Sequence, residues 1–527
     1  MEKTKVLGLT DYSVIAVTLA ISIAIGLYYR LTGGKQKTVE EYFSANKSMG
    51  PISISICLMV SFMSAITLLG VSAENYTYGA IFVVINFSYL IGTPIVCYGY
   101  LPVFYKLQAT STYEYLEKRF GVSARILASS IVWLQMLLYS GIVLYAPALA
   151  FKTTTGIEKL TSILSVGLAC AFYSSIGGIK AVLITDIFQA FLMFASLIII
   201  IATAASSVGG LDKIWEIARE GGRLNFNNGL AIYSKYFDCN PTTIDPSKKS
   251  DMLMPLYIMD MTSSLPGLPG LFVAGIFSAG LSTISAALNA LAAISLEDYI
   301  KPLYFICTGK EFSPKKSLIC SKVLAFILGI FCIVLAIAAQ YLNSILQMSL
   351  TIFGIVGGPL VGLFTLGMLF ESSTQRGAIF GTTLSLIFLI WISFGGPRPG
   401  PQALPMSIEG CASDLLAKFN GTLTVPSNPV PKEAFFYLYR ISYLWYAPIG
   451  VVMTIVVGWI TSNLLQSLGL DRVKKNLDPD LFFPCIARRI RSRRRNNSEE
   501  DSTEVNLRKY QVKDDVADAK TQESLCN

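Results

Sequence analysis

The sequence predicts an all-α polytopic membrane protein, and three observations carry this prediction. The 527 residues are 53% hydrophobic and only 14% charged, whereas about a quarter of the residues in a soluble domain are charged. Apolar stretches recur along the chain, and they reach the ~20 residues that a helix needs to cross a bilayer. The basic residues stand mainly beside these stretches and in the C-terminal tail, which is typical of a protein oriented in a membrane.

About eleven spanning helices are predicted in order along the chain. The first follows a charged start and precedes no small-residue cleavage site, so we expect a permanent helix rather than a cleaved signal peptide. Two long segments without a span, 208–255 and 396–440, interrupt the series. The predicted spans lie at 12–30, 51–72, 80–104, 125–150, 160–178, 183–207, 268–293, 318–341, 345–370, 376–395 and 441–463.

The charges of the loops predict the orientation of these spans. If the spans alternate, three basic connections and the C-terminal tail fall on the same side, which the positive-inside rule makes cytoplasmic. The N-terminus and the two long segments are then extracellular. The three basic connections are 31–50, 105–124 and 294–317.

The chain divides into a transmembrane domain, 1–470, and a tail, 471–527. The tail mixes thirteen basic with eleven acidic residues and has few apolar ones. Such a composition cannot bury enough apolar surface to fold, so we expect a disordered cytoplasmic tail. Its arginine cluster, Arg488 to Arg495, follows the last span closely and is suited either to anionic lipid or to fixing the topology.

The extracellular loops contain a predicted glycan and a possible disulfide. Asn420 begins an Asn-Gly-Thr sequon in a place that the glycosylation machinery reaches, whereas the sequon at Asn46 falls on the cytoplasmic side. Cys239 and Cys411 are the cysteines that fall clearly in external loops, where an oxidising compartment allows a disulfide. Two free thiols are the alternative, because the sequence does not give their separation.

The composition argues against an enzyme and against nucleic-acid binding. Histidine is absent, which excludes Ser–His and Cys–His catalysis and histidine-ligated zinc. The ten cysteines contain no C-x-x-C pair, and no P-loop is present, so we predict neither a metal cluster nor nucleotide-driven transport. The net charge of +8 fits membrane orientation better than nucleic acid, and no cofactor is expected.

Two spans contain hydroxylic and small residues in unusual number. In 51–72, the run Ser61 to Thr67 is followed closely by Gly70, so this span is expected either to break and expose carbonyls to an ion or to pack closely against a neighbour. In 268–293, Ala279, Ser282 and Thr283 share one helical face. Their oxygens suit a monovalent cation that must leave again, although hydroxyls bonded to their own helix are the alternative.

Asp186 is the one carboxylate predicted to lie inside an otherwise apolar span. It stands about one turn from the cytoplasmic end of the span 183–207. Ionisable residues at that depth are costly, so a functional role is the default hypothesis, and capping of the helix start is the alternative. Because the other spans contain no deep carboxylate, a sodium-driven transporter is favoured over a proton relay.

These residues belong to a series of motifs that resembles the sodium:solute symporter family, most closely its branch of sodium-coupled monocarboxylate, multivitamin and iodide transporters. The matches keep the family's order from about Asp11 to Asp480. They are Ser61-Phe-Met-Ser-Ala65, Leu101-Pro-Val-Phe-Tyr-Lys106, Ser111-Thr-Tyr-Glu-Tyr-Leu-Glu-Lys-Arg-Phe120, Gly141-Ile-Val-Leu-Tyr-Ala-Pro-Ala-Leu149, Gly177-Gly-Ile-Lys-Ala181, Thr185-Asp-Ile-Phe-Gln189, Pro266-Gly-Leu-Pro-Gly-Leu-Phe272, Leu281-Ser-Thr-Ile-Ser285 and Phe353-Gly-Ile-Val-Gly-Gly-Pro-Leu-Val-Gly-Leu-Phe364.

The resemblance implies a leucine-transporter-type fold, in which two inverted five-helix repeats place broken helices at a midplane site. It places sodium between the spans 51–72 and 268–293, with Asp186 near the cytoplasmic sodium exit. The implied sodium ligands are the carbonyls of Val60, Met63 and Ala279 and the hydroxyls of Ser282 and Thr283. The implied substrate-cavity residues are Phe62, Thr67 and Tyr139.

One departure from the family concerns the second repeat. The family has thirteen helices, and after Phe226 it continues through two core helices, whereas here Asn227–Tyr236 reads as a direct join to the external loop. The 47 residues of 209–255 contain no apolar run long enough to span. The first repeat, 51–207, then has five helices, and the second, 268–370, keeps only three. We therefore expect an incomplete second repeat.

The resemblance implies sodium-coupled symport of a small organic anion across the plasma membrane. A monocarboxylate or a vitamin such as biotin or pantothenate is the expected substrate, sodium is the coupling ion, and membrane lipid surrounds the chain. Thr67 stands where the iodide carrier has glutamine, which disfavours iodide and favours a carboxylate, with iodide or another anion as the alternative. A second alternative is a non-transporting truncated isoform that acts as a regulatory membrane partner.

Overall fold

The computed structural model describes most of the chain, and the regular structure in the described ranges is helical, as the sequence predicts. The predicted glycosylation states of Asn46 and Asn420 and most of the predicted join after Phe226 concern residues outside these ranges. The described residues are 7–32, 49–107, 111–220, 232, 235–236, 238–245, 248–262, 265–341, 344–396, 399, 410–411, 435–472 and 478–496.

The first nine α-helices, in chain order, lie between Leu9 and Glu220. Short 3-10 and π turns, Ala80–Val84 and Val96–Tyr100, flank the fourth. The helices are α1 Leu9–Thr32, α2 Pro51–Phe62, α3 Ala65–Tyr78, α4 Ile85–Ile95, α5 Leu101–Leu107, α6 Tyr113–Arg119, α7 Val122–Thr155, α8 Lys159–Val208 and α9 Leu211–Glu220.

The later helices begin with two short elements that precede a long buried one. A π turn, Ser295–Ile300, continues the long helix into the next. The helices are α10 Pro241–Ile244, α11 Leu253–Thr262, α12 Leu268–Ile294, α13 Lys301–Thr308, α14 Pro314–Ala339, α15 Ile345–Leu369, α16 Gln375–Phe394, α17 Tyr446–Ser467 and α18 over 484–496.

All eleven predicted spans coincide with helical segments. In the described part of the chain, eight helices are long and apolar enough to cross a membrane, and the bent pair α2 and α3 gives a ninth if it is one span. The other two predicted spans are shorter apolar stretches, Leu9–Ile25 and Lys159–Phe172. The segment between α9 and α12 provides no described helix longer than ten residues, which agrees with the absence of a predicted span there.

The structure differs from the sequence prediction at 160–178 and 183–207. These two predicted spans belong to one helical element, α8, of 50 residues. At 1.5 Å per residue such an element is about 75 Å long, more than twice the thickness of a hydrocarbon layer. Helical structure continues through the glycine pair Gly177-Gly178. Within this element, only Val182–Val208 is long and apolar enough to cross a membrane.

The chain separates into two compact units, and α12 is at the centre of the first. This unit comprises 1–86, 129–358 and 387–450, and nearly all of α12 is buried in it. Glycines allow the neighbouring helices to approach closely: a Cβ at Gly280 would lie 2.5 Å from Cγ of Pro147, and one at Gly275 would lie 2.6 Å from Oγ of Ser196. These approaches fix α12 against α7 and α8.

The buried carboxylate of Asp11 holds the start of α12. Its Oδ1 accepts hydrogen bonds from the backbone amides of Gly267 (2.9 Å) and Gly270 (3.1 Å), and its Oδ2 accepts one from Gly8. Gly267 adopts a left-handed conformation with φ of 87°, which favours glycine. A carboxylate at a helix N-terminus satisfies free amides and complements the helix dipole, so α1 positions the helix that contains the predicted sodium ligands.

A disulfide and a buried aspartate hold the segment between α9 and α12 in the first unit. Cys239 and Cys411 form a disulfide, with Cα atoms 4.9 Å apart. Asp251 accepts a hydrogen bond from the backbone amide of Ile345 at 3.1 Å, which caps α15. Burial raises the pKa of the Asp251 carboxyl to about 6.

The second unit comprises 87–128, 359–386 and 451–527, and a buried arginine is at its core. Arg119 is 3% exposed and donates hydrogen bonds to the carbonyls of Gly367 (2.9 Å) and Phe370 (2.8 Å) and to Oγ of Ser373 (2.9 Å). Burial lowers the pKa of its guanidinium. These bonds close the end of α15, where helix carbonyls lack partners.

Part of the tail that the sequence analysis treats as disordered is helical. A 3-10 turn, Pro479–Leu481, leads into α18, and four apolar side chains are buried against the core of the second unit. Burial of these apolar side chains offsets the entropy that is lost when the segment becomes ordered. The polar residues of the segment could not offset this loss alone. The four buried residues are Leu481, Phe482, Ala487 and Ile490.

Candidate functional site

The candidate site is built around a break in the first core span. Helix α2 ends at Phe62 and α3 begins at Ala65, and their axes differ by 54°. Met63 and Ser64 leave the helical conformation, with ψ angles of 77° and 168°. The break falls within the hydroxylic run from Ser61 to Thr67, as one of the two alternatives for this span predicts. The other alternative, close packing through small residues, also applies further along the span, since a Cβ at Gly70 would lie 2.6 Å from Cβ of Leu346.

Thr283 of α12 reaches this break directly. Its Oγ1 lies 2.9 Å from the carbonyl oxygen of Ser61 and 3.1 Å from that of Ala279. Three oxygens from the two predicted sodium-binding spans therefore lie together. Thr283 is 6% exposed and Ala279 is fully buried. The contact with Ala279 is the bond to the helix's own backbone that the alternative describes, and the same hydroxyl also contacts Ser61 of α2.

Asp186 and Ser282 add buried oxygens without hydrogen-bond partners. Asp186 is 1% exposed and Ser282 is fully buried. Oδ2 of Asp186 lies 3.5 Å from Oγ of Ser61, whereas Oδ1 of Asp186 and Oγ of Ser282 find no hydrogen-bond partner among the residues that the structure describes. Buried oxygens without partners are costly unless a ligand or ion satisfies them.

The two other predicted carbonyl ligands, Val60 and Met63, lie at the end of α2. Val60 is fully buried and Met63 is half-buried. The amide of Met63 donates to the carbonyls of Met59 (3.0 Å) and Val60 (3.1 Å) and so closes the last turn of α2. A carbonyl oxygen has two lone pairs, so the Val60 carbonyl keeps one for a cation. The nearest carbonyl to Thr283, however, is that of Ser61.

Tyr139 lies on the other side of the break. Its hydroxyl donates to Oγ of Ser64 at 3.4 Å, and its ring packs edge-on against Phe353 at 4.7 Å between centroids. Thr67 is half-buried in the first turn of α3, where its amide donates to the carbonyl of Ser64 at 3.0 Å. The structure therefore places two of the three predicted cavity residues, Tyr139 and Thr67, beside Ser64.

Phe62 does not join the other predicted cavity residues. Its side chain is 73% exposed, and it ends an exposed stripe on α2 that includes Ile52, Leu58 and Met59. Leu58 and Met59 lie four and three residues before Phe62 and therefore share its side of the helix. In the fold that the resemblance implies, α2 meets the first helix of the second repeat at the midplane. An exposed apolar face on α2 is therefore unexpected.

Ser61 and Ser64 belong to the motif Ser61-Phe-Met-Ser-Ala65, but neither was predicted to have a role in the site. In the structure, the Ser61 carbonyl faces Thr283 and its hydroxyl faces Asp186, while Ser64 caps the break beside Tyr139. The available signal was their position inside the hydroxylic run at the predicted break. Cys57 is a further residue missed, since its thiol donates to the Leu183 carbonyl at 2.9 Å and joins α2 to α8.

Comparison with known proteins identifies a family. The model of the sodium:solute symporter family matches residues 42–221 and 227–384. The match is interrupted at 222–226, the place where the sequence analysis expects two core helices to be missing.

Three relatives of known name are similar over nearly the whole chain. A "Putative sodium-dependent multivitamin transporter" of Drosophila melanogaster is 42% identical, with 92% of this chain and 93% of the relative covered. The human "Sodium-coupled monocarboxylate transporter 1" is 34% identical over 89% and 88% of the two chains. The rabbit (Oryctolagus cuniculus) "Sodium-dependent multivitamin transporter" is 33% identical over 88% and 83%.

The lengths of these alignments bear on the missing helices. The alignment with the Drosophila protein has 561 positions, although only 92% of this chain takes part in it and the whole chain has 527 residues. Dozens of positions in that relative therefore have no counterpart here. A deficit of this size is what the loss of two helices of about twenty residues each, with their loops, would produce.

A solved structure shares the fold. It is titled "Substrate-bound outward-open state of a Na+-coupled sialic acid symporter reveals a novel Na+-site", and it aligns with a TM-score of 0.69 over 87% of this chain and 98% of that chain. At 22% sequence identity this likeness establishes the leucine-transporter-type fold and nothing about substrate.

Proposed function

The chain belongs to the sodium:solute symporter family, and from this premise we propose that its broken span and α12 bind a sodium ion whose entry is coupled to that of a small organic carboxylate. The observation that carries the proposal is the contact of Thr283 with the carbonyls of Ser61 and Ala279 at the helix break. This cluster contains oxygen donors only, which hard cations prefer.

The oxygens of the cluster suit a cation that binds and then leaves. Hydroxyls and carbonyls carry partial charges, so they hold a monovalent ion without trapping it. Asp186 supplies the one full negative charge beside the cluster, through its contact with Ser61. We infer that sodium leaves the neutral oxygens past Asp186, because the carboxylate offers a bonding partner at a depth where water is scarce.

The start of α3 supports an anionic substrate. Ser64 makes no side-chain hydrogen bond to the first turn of α3, so the first amides of this half-helix are left for a ligand. A helix N-terminus is a favourable place for a carboxylate because of its free amides and its dipole. Tyr139 and Thr67 stand beside it with hydroxyl groups. Monocarboxylates and vitamin acids share this carboxylate, and the relatives' names refer to both classes.

The test is sodium-dependent uptake of radiolabelled lactate, nicotinate or biotin into cells that express the chain at the plasma membrane. Replacement of external sodium by choline should abolish the carrier-dependent part. Uptake of iodide but of none of the three carboxylates would contradict the carboxylate assignment. Because the chain itself is expected to transport poorly, the assay includes a version with the two family helices restored after Phe226.

Tyr139→Phe is expected to weaken carboxylate binding without changing sodium binding. The substitution removes one hydroxyl beside Ser64 and keeps the ring against Phe353. Loss of a hydrogen bond to a charged group costs about 1.5–3 kcal/mol, so we expect the KM for the carboxylate to rise by roughly tenfold or more. The measurement is KM in the restored chain, with the sodium concentration for half-maximal uptake as the control; an unchanged KM would exclude Tyr139 from the site.

A second candidate function is a non-transporting partner of a complete carrier. It is favoured by the interruption of the family match at 222–226 and by the exposed stripe that ends at Phe62. In this form the chain would insert in the membrane and keep the sodium-ligand residues, but it would lack the broken helix that faces α2 and α3. Co-expression with a complete relative tests it, because a regulatory partner should change the uptake of that relative.

A further inference from the structure

Helix α18 lies at the level where several spans of the second unit end. Lys106, next to the end of the span Phe82–Leu107, forms an ion pair with Asp480 just before α18 at 2.9 Å. Arg493 of α18 pairs at 3.0 Å with Glu371, which lies between α15 and α16. The amide of Phe483 donates to the carbonyl of Met368 at 3.1 Å. This helix is therefore held against the bundle at one membrane surface and does not extend away from it.

The inner face of α18 is apolar and already occupied. Ala487 and Ile490 are buried against the core of the second unit, and the ring of Phe483 packs edge-on against Tyr100 at 4.9 Å. Phe482 lies under the guanidinium of Arg119 at 5.0 Å. Because these contacts use the apolar face within the protein, α18 has no apolar stripe left to insert into lipid.

The outer face of α18 is basic and exposed. The helix contains six arginines and no acidic residue. Arg491 and Arg493 pair with Asp480 and Glu371. Arg488 and Arg489 are exposed on the outer side, and the structure shows no acidic partner for them among the described residues. Two adjacent guanidinium groups thus face outward beside the end of the span Phe82–Leu107.

We propose that α18 is a binding surface for anionic phospholipid, in which Arg488 and Arg489 contact the phosphate and carboxylate groups of the adjoining leaflet. Guanidinium groups form bidentate hydrogen bonds with phosphate, and basic juxtamembrane segments are attracted to anionic leaflets. The sequence predicts that this end of the chain is cytoplasmic, which is the leaflet that contains anionic lipid. Since the apolar face is docked on the protein, the attraction is electrostatic and should weaken in salt.

The test uses the full chain in lipid nanodiscs and follows backbone hydrogen exchange in 485–496. Nanodiscs of phosphatidylcholine alone are compared with nanodiscs that also contain phosphatidylserine. We expect phosphatidylserine to slow exchange in this segment by roughly twenty-fivefold, since each of the two arginines contributes about a factor of five. Exchange in α9 serves as the reference, because a general stabilisation of the chain would slow both segments.

Two charge-matched variants decide the outcome. Arg488→Gln with Arg489→Gln should remove the effect of phosphatidylserine, while Lys315→Gln with Lys316→Gln, an equal loss of exposed charge at the start of α14, should keep it. High salt should also remove it, and free inorganic phosphate added to phosphatidylcholine discs should not reproduce it. An equal loss in both variants, no loss in the arginine variant, or the same exchange in both lipids would overturn the proposal. Replacing the acidic run Glu499–Asp501 with amides should leave the effect in place; its disappearance would mean that the arginines contact the tail instead.

Discussion

Thr283→Ala is expected to weaken sodium binding by about tenfold, which corresponds to about 1.4 kcal/mol. Thr283 contributes the hydroxyl that lies between the carbonyls of Ser61 and Ala279, so its removal leaves the ion with one ligand fewer and a cavity in a buried site. Sodium that binds only the folded chain raises its thermal stability in proportion to occupancy. The measurement is the sodium concentration that gives half of the maximal rise in Tm, with potassium or choline keeping the ionic strength constant.

Two further variants separate a lost ligand from a general defect. Thr283→Ser keeps the hydroxyl and should stay close to the original sodium dependence. Ser321→Ala removes a buried hydroxyl that bonds only to its own helix, at 2.8 Å from the Ser317 carbonyl, and should lower Tm without shifting the sodium dependence. If all three variants respond to sodium alike, Thr283 is not a ligand. This assay needs no transport, so it remains informative if the chain carries no substrate.

The break in the first core span was predictable from local composition. Hydroxylic and small residues from Ser61 to Gly70 weaken a helix, and the structure bends between Phe62 and Ala65 by 54°. The shared face of Ala279, Ser282 and Thr283 was predictable too, because helical spacing alone places these residues together. Both are short-range properties, which sequence patterns report well.

Contacts between residues of different helices were not predictable from such short-range patterns. Which carbonyl of α2 faces Thr283 depends on how α2 and α12 cross, so the sequence indicated Val60 and Met63 from the family, whereas the nearest carbonyl is that of Ser61. The exposure of Phe62 likewise depends on which helix lies opposite it. The fold of α18 was missed because a few apolar residues, such as Phe482 and Ile490, stand among arginines that dominate the composition.

The expected loss of two helices from the second repeat leads to the prediction with the largest effect. We predict that this chain inserts in the membrane but transports little or no substrate. Lipid can cover the apolar stripe of α2 at little cost, so insertion should survive. Lipid cannot supply the backbone groups of a broken helix at the midplane, where each unsatisfied group costs several kcal/mol. A deficit of about 3 kcal/mol in substrate binding corresponds to roughly a hundredfold. The proposed sodium ligands lie outside the expected gap, so we expect that sodium can still bind.

The measurement is a paired uptake assay at matched surface abundance. One arm is this chain, and the other inserts after Phe226 the two helices of a relative such as the Drosophila protein, with which this chain is 42% identical. The restored chain should take up carboxylate in a sodium-dependent way. The restored chain with Thr283→Ala should need a higher sodium concentration for the same uptake. That shift would show that the uptake comes from a coupled carrier and not from a leak. If the shorter chain carries substrate as fast as the restored one, the helices are not required, and another part of the chain must face α2 and α3 across the substrate site.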